Sequence, residues 1–332
     1  MLKAVSVGWL ALAIGCSESE PAPADHAPPD GGIFAWTEAM PCPVARFEAN
    51  GVVVDGELWV MGGFLSTHLD VTKRVDIYDP NADRWRLGPE LPDAETHLGV
   101  AHVGKDILLV GGFNGNVLDR TTTAAVWRWS AADATWTAGP ALPTPRAAVA
   151  AALVGTQMHA AGGLAQDGET DSADHVVWDL AGPRAWTSAA PLPNPRNHGG
   201  GAASAGLFFA VAGRHGWDEI SGHDSAVHAF DLATGGWTTR APIPIARSEI
   251  GAATFTMSDG RLLVVGGSVA GKQPSGDVLV YDPLLDIWTA LPSLPVPLKG
   301  VVAARVGAKV IVTTGSPTST DPSAKTYIGC CL

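Results

Sequence analysis

Six tryptophans, Trp36, Trp85, Trp136, Trp186, Trp237 and Trp288, recur at intervals of 49, 51, 50, 51 and 51 residues along a chain of 332. A fixed period of this length means one supersecondary unit used repeatedly, each copy burying its apolar face only against its neighbours. Two further marks share the period. An apolar run ends in small residues at Leu58 to Gly63, Ile107 to Gly112, Met158 to Gly163, Leu207 to Gly213, Leu262 to Gly267 and Val310 to Gly315. An aromatic then precedes a short turn at Tyr78-Asp79-Pro80, Trp129-Ser130, Trp178-Asp179, Phe230-Asp231 and Tyr281-Asp282-Pro283. The periodic tryptophan follows that aromatic by seven residues, or by eight after Trp178.

Each unit reads as four strands, a to d. Strand a is a run of small residues such as Ala147 to Val154 or Gly199 to Ala205, suited to an innermost position where converging sheets leave little room. Strand b is β-branched and aromatic and ends at the glycines, where the backbone must turn closely. Strands c and d carry the aromatic and the tryptophan, whose large rings cover apolar area while one polar atom finds a partner. Trp36 precedes any glycine pair, whereas the last unit runs out at Leu332 before another tryptophan. Residues Ile33 to Ala39 should therefore lie as strand d beside the C-terminal strands, pairing an edge that would otherwise be exposed.

On these marks residues 33 to 332 resemble the kelch-repeat β-propeller family. The resemblance implies an all-β fold of six four-stranded blades, with repeats near 46–92, 97–143, 146–193, 196–244, 247–295 and 299–332 plus 33–43, and a ring closed by the N-terminal strand. A propeller describes a scaffold, so function must be argued from side chains.

Composition narrows the classes. Gly 39 and Pro 25 suit many short strands joined by turns. A formal net charge of −12 with 16% charged residues leaves no basic footprint for a nucleic acid. Residues 1–15 read as an export signal, with Lys3 before an apolar run from Ala4 to Ile14 that is too short to span a bilayer as a helix. Leu12-Ala13-Ile14-Gly15-Cys16 resembles the bacterial lipobox, which implies lipidation of Cys16. Residues 16–32, rich in Ser, Glu, Pro, Ala and Asp, read as a flexible tether. In such lipoproteins Ser17 after the cysteine goes with the outer membrane of Gram-negative bacteria, so a lipid-anchored monomer, periplasmic or surface-exposed, is expected.

The remaining chemistry is sparse. Cys42 occupies the place of Leu91, Leu142, Leu192, Ile243 and Leu294 and reads as a small buried hydrophobe. Cys330 and Cys331 can pair with each other, pair between molecules or stay free. The kelch-like copper radical oxidases need a tyrosine cross-linked to cysteine, but Tyr78, Tyr281 and Tyr327 all fall at the structural aromatic of strand c. His215, His223 and His228 lie around a segment, Arg214 to Ser225, that reads as a loop, with no spacing that selects a metal geometry. Asp167-Gly168-Glu169-Thr170-Asp171 lacks the full EF-hand pattern and reads as a polar turn. No metal or cofactor and no catalytic motif is expected.

A ligand should sit where d-to-a connections and b-to-c loops emerge together. Ten residues after the tryptophan stand Arg46, Arg146, Arg196 and Arg247, with Glu95 and Leu298 in the other two units. Their guanidinium groups are expected at the channel rim, matching an acidic ligand, although Pro-Arg before strand a is common in kelch repeats and can also tie blades. Glu48, His198 and Glu249 follow two residues later, and Asn114, Asn116, Arg120, Trp217 and Asp218 come from the loops. Such a mouth suits a protein, peptide or glycan bound without catalysis. The alternative is a carbohydrate-active enzyme resembling the six-bladed sialic acid mutarotases, in which acids and bases would concentrate in one pocket.

Overall fold

The computed structural model describes residues 34–116, 120–217 and 220–330. The leader, Cys16, the tether, Ile33, Asp218, Glu219 and Cys331 lie outside them. The described chain is almost wholly β, with two single 3₁₀ turns at Gly251–Ala253 and Ala270–Lys272. Among the described residues no helix is long and apolar enough to cross a membrane.

Six four-stranded antiparallel sheets follow one another in chain order. The first holds Asn50–Val54, Glu57–Met61, Val75–Asp79 and Arg84–Leu87; the second holds Gly99–Val103, Asp106–Val110, Val126–Ser130 and Thr135–Ala138. The third holds Ala150–Val154, Gln157–Ala161, His175–Asp179 and Thr187–Ser188; the fourth holds Gly200–Ser204, Leu207–Arg214, His223–Asp231 and Gly236–Arg240. The fifth holds Thr254–Thr256, Leu262–Val265, Val278–Asp282 and Ile287–Leu291. The sixth takes Val302–Val306, Lys309–Thr313 and Thr326–Cys330 from the C-terminal end and Ala35–Ala39 from the N-terminal end. Trp36 there pairs with Gly329 and Ala35 with Cys330.

The first strand of each sheet packs on the first strand of the next, and Val302–Val306 packs on Asn50–Val54. Their small residues are a steric necessity. A Cβ on Gly51 would come within 2.2 Å of Val302 Cγ1, and one on Gly201 within 2.3 Å of the Ala151 backbone nitrogen.

The tryptophan period also acquires a cause. Trp36, Trp85, Trp186, Trp237 and Trp288 each donate Nε1–H to a carbonyl of the neighbouring sheet, those of Pro292, Met40, Pro140, Ala190 and Ala241, at 2.8 to 2.9 Å. Each ring thus spans an inter-sheet seam and closes it with one hydrogen bond. Trp136 packs on Trp129 instead, with its Nε1 buried and unpaired. Cys42 is buried at the position its leucine and isoleucine counterparts also fill. Tyr78 and Tyr281 are buried and donate to Asp83 and Asp286, which also accept from the backbone N–H groups of Met40 and Ala241 across the seam.

One boundary differs from the sequence reading. Arg214 to Ser225 is not all loop, because Gly213 pairs with Asp224 and Arg214 with His223 after a register shift at Val211. Gly213, with no Cβ to hinder a φ of 126°, permits that shift, and the connection shrinks to residues 215–222. Arg214 is thereby carried inward on a strand.

Candidate functional site

The four arginines of the repeat are buried, at 0 to 3% exposure, and none opens onto a mouth. Arg146 Nη1 donates to the carbonyls of Gly162 and Asp174 at 3.1 and 2.7 Å. Arg196 donates to those of Ala212, Asn194, Ala210 and Ala226 at 2.6 to 3.2 Å. Arg247 reaches the Gly266 carbonyl at 2.9 Å and Asp277 at 2.8 Å, and Arg46 pairs with Asp76. The expectation of rim guanidiniums is corrected by this geometry. A carbonyl-rich strand end offers several fixed acceptors, and a planar five-donor group satisfies them better than water could in so narrow a space.

Two residues beyond each of these positions the chain forms a different ring. Glu48, His97, Ala148, His198, Glu249 and Gly300 all adopt left-handed backbone, with φ of 51°, 56°, 55°, 53°, 59° and 56°. Their spacings repeat those of the tryptophans, so each unit contributes one. Backbone bonds link successive members: Glu48 N to Gly300 O, Ala148 N to His97 O and His198 N to Ala148 O, at 2.8 to 3.1 Å. Only Gly300 takes this conformation without strain, so the five other residues hold a costly backbone around one axis, as sites for ligands commonly do. A Cβ on Gly300 would meet Glu48 Cγ at 2.9 Å, which shows the Glu48 side chain lying across it.

The ring carries an arc of acids and imidazoles. His97 Nε2 stands 2.9 Å from Glu48 Oε2, and its Nδ1 stands 2.8 Å from Thr96 Oγ1. The rings of His97 and His198 meet edge to face at 4.7 Å. Asn197 gives its amide protons to Asp171 and to the Gly216 carbonyl, leaving its oxygen to accept from His198 Nδ1–H. That tautomer aims the Nε2 lone pair of His198 at Arg214, whose Nη2 lies 3.0 Å away and whose Nη1 lies 2.5 Å from Glu249 Oε1. Burial, then the nearby Arg214, pushes His198 well below the usual imidazole range. Burial works to raise Glu48, but His97, Lys299 and Arg214 outweigh it and hold the carboxyl at about 2.

His97, His198 and Glu249 place ligand atoms within 4.8 Å of one another, the only such trio among the described residues. A metal there would meet the guanidinium of Arg214, which already supplies the positive charge both His198 and Glu249 face. The set therefore fits an internal cation better than a bound one.

Above this floor opens a pocket of about 330 Å³, lined by Glu48, Phe64, His97, Arg120, His198, Arg214, Trp217, Lys272 and Lys299 among others. Phe113 and Trp217 stack at 5.8 Å, and the Arg120 guanidinium lies 4.1 Å over Trp217 and 4.7 Å over Phe113. Below the floor a neck of about 40 Å³ leads to a wider channel of about 470 Å³ that opens on the other face, past Val53, His102 and Arg305.

Of the expected site residues, Glu48, His198, Glu249, Arg120 and Trp217 meet here, and the four repeat arginines do not. Asn116 accepts from the Val71 backbone, and Asn114 pairs with Glu95 in a short strand. His215 bridges Asp171 and Asp224 at the surface, and His228 is buried beside Arg196. Asp167 caps its own turn through the backbone N–H groups of Glu169 and Thr170. His97, Arg214, Lys272 and Lys299 were missed. His97 was recoverable, because it stands 49 residues after Glu48, but Glu95 hid it by replacing the arginine two places earlier.

Known proteins resemble this chain as follows. A kelch motif model matches residues 45–92 and 251–295. Kelch-like protein terF of Aspergillus terreus is 25% identical over 338 residues, covering 95% of this chain and 70% of the relative. Kelch-like protein 34 of Homo sapiens is 29% identical over 244 residues, which cover 68% of this chain and 35% of that protein. This chain thus spans about a third of the length of the second relative. A solved structure titled "Structure of YjhT" superposes with a TM-score of 0.71 at 13% identity, covering 87% of this chain and 96% of its own, a likeness of fold alone.

Proposed function

We propose that this kelch-repeat chain is a six-bladed propeller, closed by its N-terminal strand and anchored by a lipid on Cys16, that binds a protein or glycan bearing an acidic group at the axial mouth. What carries this reading is the pocket itself. Arg120, Arg214, Lys272 and Lys299 line it with Trp217, and Glu48 and Glu249 stand at its floor, so the walls bring several cationic donors and an aromatic ring within reach of an acidic group. No nucleic acid, metal or cofactor is part of this reading.

Glycan and peptide arrays probed with wild type, Lys272→Ala and Trp217→Ala test the reading. Lys272 is exposed, so its loss should weaken acidic ligands by roughly three- to tenfold, and added salt should weaken them further. Binding that ignores both substitutions and salt would place the functional surface elsewhere.

A second reading, a carbohydrate-active enzyme, draws on the convergence of Glu48, His97, His198 and Glu249 at one floor. Acids and bases gathered at the end of a pocket are what proton transfer to a sugar requires. On this reading His97→Gln should abolish anomer interconversion of an acidic sugar followed by NMR while leaving its binding within about threefold. Wild type that shows no rate above buffer removes the enzyme reading.

A further inference from the structure

The slot that arginine fills in four units is also built in the second unit, where Glu95 stands at the arginine register. One of its walls is the carbonyl of the small residue after the second strand: the arginines donate to Gly62, Gly162, Ala212 and Gly266 there. Another is the carbonyl of the residue before the third strand, which accepts at Arg74, Asp174 and Ala226. Gly111 and Ala125 hold these two places in the second unit. Gly111 N donates to the Ala125 carbonyl at 2.9 Å, as Gly62 N does to Arg74 and Gly162 N to Asp174, at 3.0 and 2.9 Å. The entry is alike too, because the Glu95 carbonyl accepts from Gly63 N as those of Arg146, Arg196 and Arg247 accept from Gly112, Gly163 and Gly213. Walls and backbone are retained, then, while the guanidinium is replaced by a carboxylate. We propose that this slot binds a free alkali-metal cation, held between the Glu95 carboxylate and the carbonyls of Gly111 and Ala125.

Three observations select that ligand. Glu95 is 1% exposed and neither carboxylate oxygen has a partner, so its charge calls for a counter-ion that the protein does not supply. The basic residues around it are engaged elsewhere: Lys73 Nζ donates to the Pro92 carbonyl at 2.5 Å and lies 3.9 Å from Asp93, and Arg146 reaches into the third sheet. Length comes next. Glutamate ends two bonds before arginine does, so from the same backbone position its carboxylate stops short of the carbonyls an arginine would touch, and an ion bridges the gap. Charge and donor type complete the choice. The ligands are oxygen alone, which suits a hard cation, and carbonyls can stand in for the hydration shell of an alkali ion. The two charges acting on Glu95, those of Asp93 and Lys73, are of opposite sign, so a single positive charge neutralises the slot and a divalent ion would leave an excess buried.

The test melts the full chain at pH 9, above the value of about 8 to which burial raises the Glu95 carboxyl. Sodium, potassium and tetramethylammonium chloride are compared at equal ionic strength. Tetramethylammonium screens surface charge equally but is too large to enter between the carbonyls. Wild type should be the more stable in sodium or potassium, with Tm rising by roughly 2 to 4 °C for each tenfold increase in that ion. Glu95→Gln should melt alike in all three salts. Glu95→Arg, which restores the guanidinium of the other units, should also ignore the salt and match ion-loaded wild type; if it fails to fold, Glu95→Gln keeps the side-chain shape and carries the comparison. Crystals grown in rubidium chloride should show an anomalous peak in contact with Glu95. Equal melting of wild type in the three salts, or a sodium effect that survives Glu95→Gln, overturns the site. Stabilisation by calcium or magnesium in place of the alkali ions overturns the single-charge assignment.

Discussion

Glu95 occupies the place that arginine holds in four other units, and the exchange has a measurable consequence. It is 1% exposed and neither carboxylate oxygen has a hydrogen-bond partner. Burial, assisted by Asp93 and opposed by Lys73, raises its carboxyl to about 8 from an ordinary value of 4.5. A folded-state value above the unfolded one means the stability it contributes is full below pH 4.5 and is lost as pH rises through 8. Glu95→Gln should therefore raise the melting temperature at pH 8 by an amount that shrinks toward pH 4, with a slope on the order of 1.4 kcal/mol per pH unit at most. Equal effects at both ends of the range would show that Glu95 does not titrate there. Arg196 is the converse case. Truncating it to alanine strands four carbonyls, and a loss of about 3 to 5 kcal/mol is expected in denaturant unfolding. The repeat register of these residues was legible in the sequence; the direction of their side chains was not, because a period fixes where a residue recurs but not which polar atoms wait beside it.

At the scale of elements, the strand pattern was the most legible feature, since small inner runs, β-branched second strands and aromatic outer strands each answer to a local steric demand. What escaped were pieces that depend on long-range pairing. The short strands Phe113–Asn114, Thr121–Thr122 and Glu95–Thr96 form their own sheet, and the extended hairpin of the fourth sheet delivers Arg214 to the axis. Both arise from loops whose sequences show no alternation to read. The strand Ala35–Ala39 makes the sharpest test at this scale. It covers the edge of Thr326–Cys330 through five paired residues, and Trp36 bonds to Pro292 of the neighbouring sheet. Deleting residues 34–39 should cost several kcal/mol, the scale of losing a large packed side chain, and should promote association through the bared edge. A truncated protein that unfolds at the same denaturant concentration would show that the sixth sheet stands without it.

For the whole molecule the question is how the mouth faces whatever holds the protein. The pocket is built from second-to-third-strand loops and from the connections entering first strands, whereas Ala35 pairs with Cys330 at the finishing end of a third strand, on the opposite face. A chain running back from Ala35 toward residue 16 therefore starts from the side away from the ligand. If Cys16 carries the lipid, the mouth is expected to face away from the membrane. Two measurements separate the parts of this proposal. Cys16→Ser should move the protein from the membrane to the soluble fraction with an unchanged melting temperature, because the apolar run before it is too short to span a bilayer. A spin label at Thr318→Cys, exposed next to Ser319 and Thr320 of the axial pocket, should be relaxed by a water-soluble reagent and not by one confined to lipid when the anchored protein is placed on vesicles. Retention of intact Cys16→Ser in the membrane would remove the anchor. Relaxation of the Thr318 label from the lipid side, with the anchor intact, would turn the molecule over and set its ligand face against the membrane.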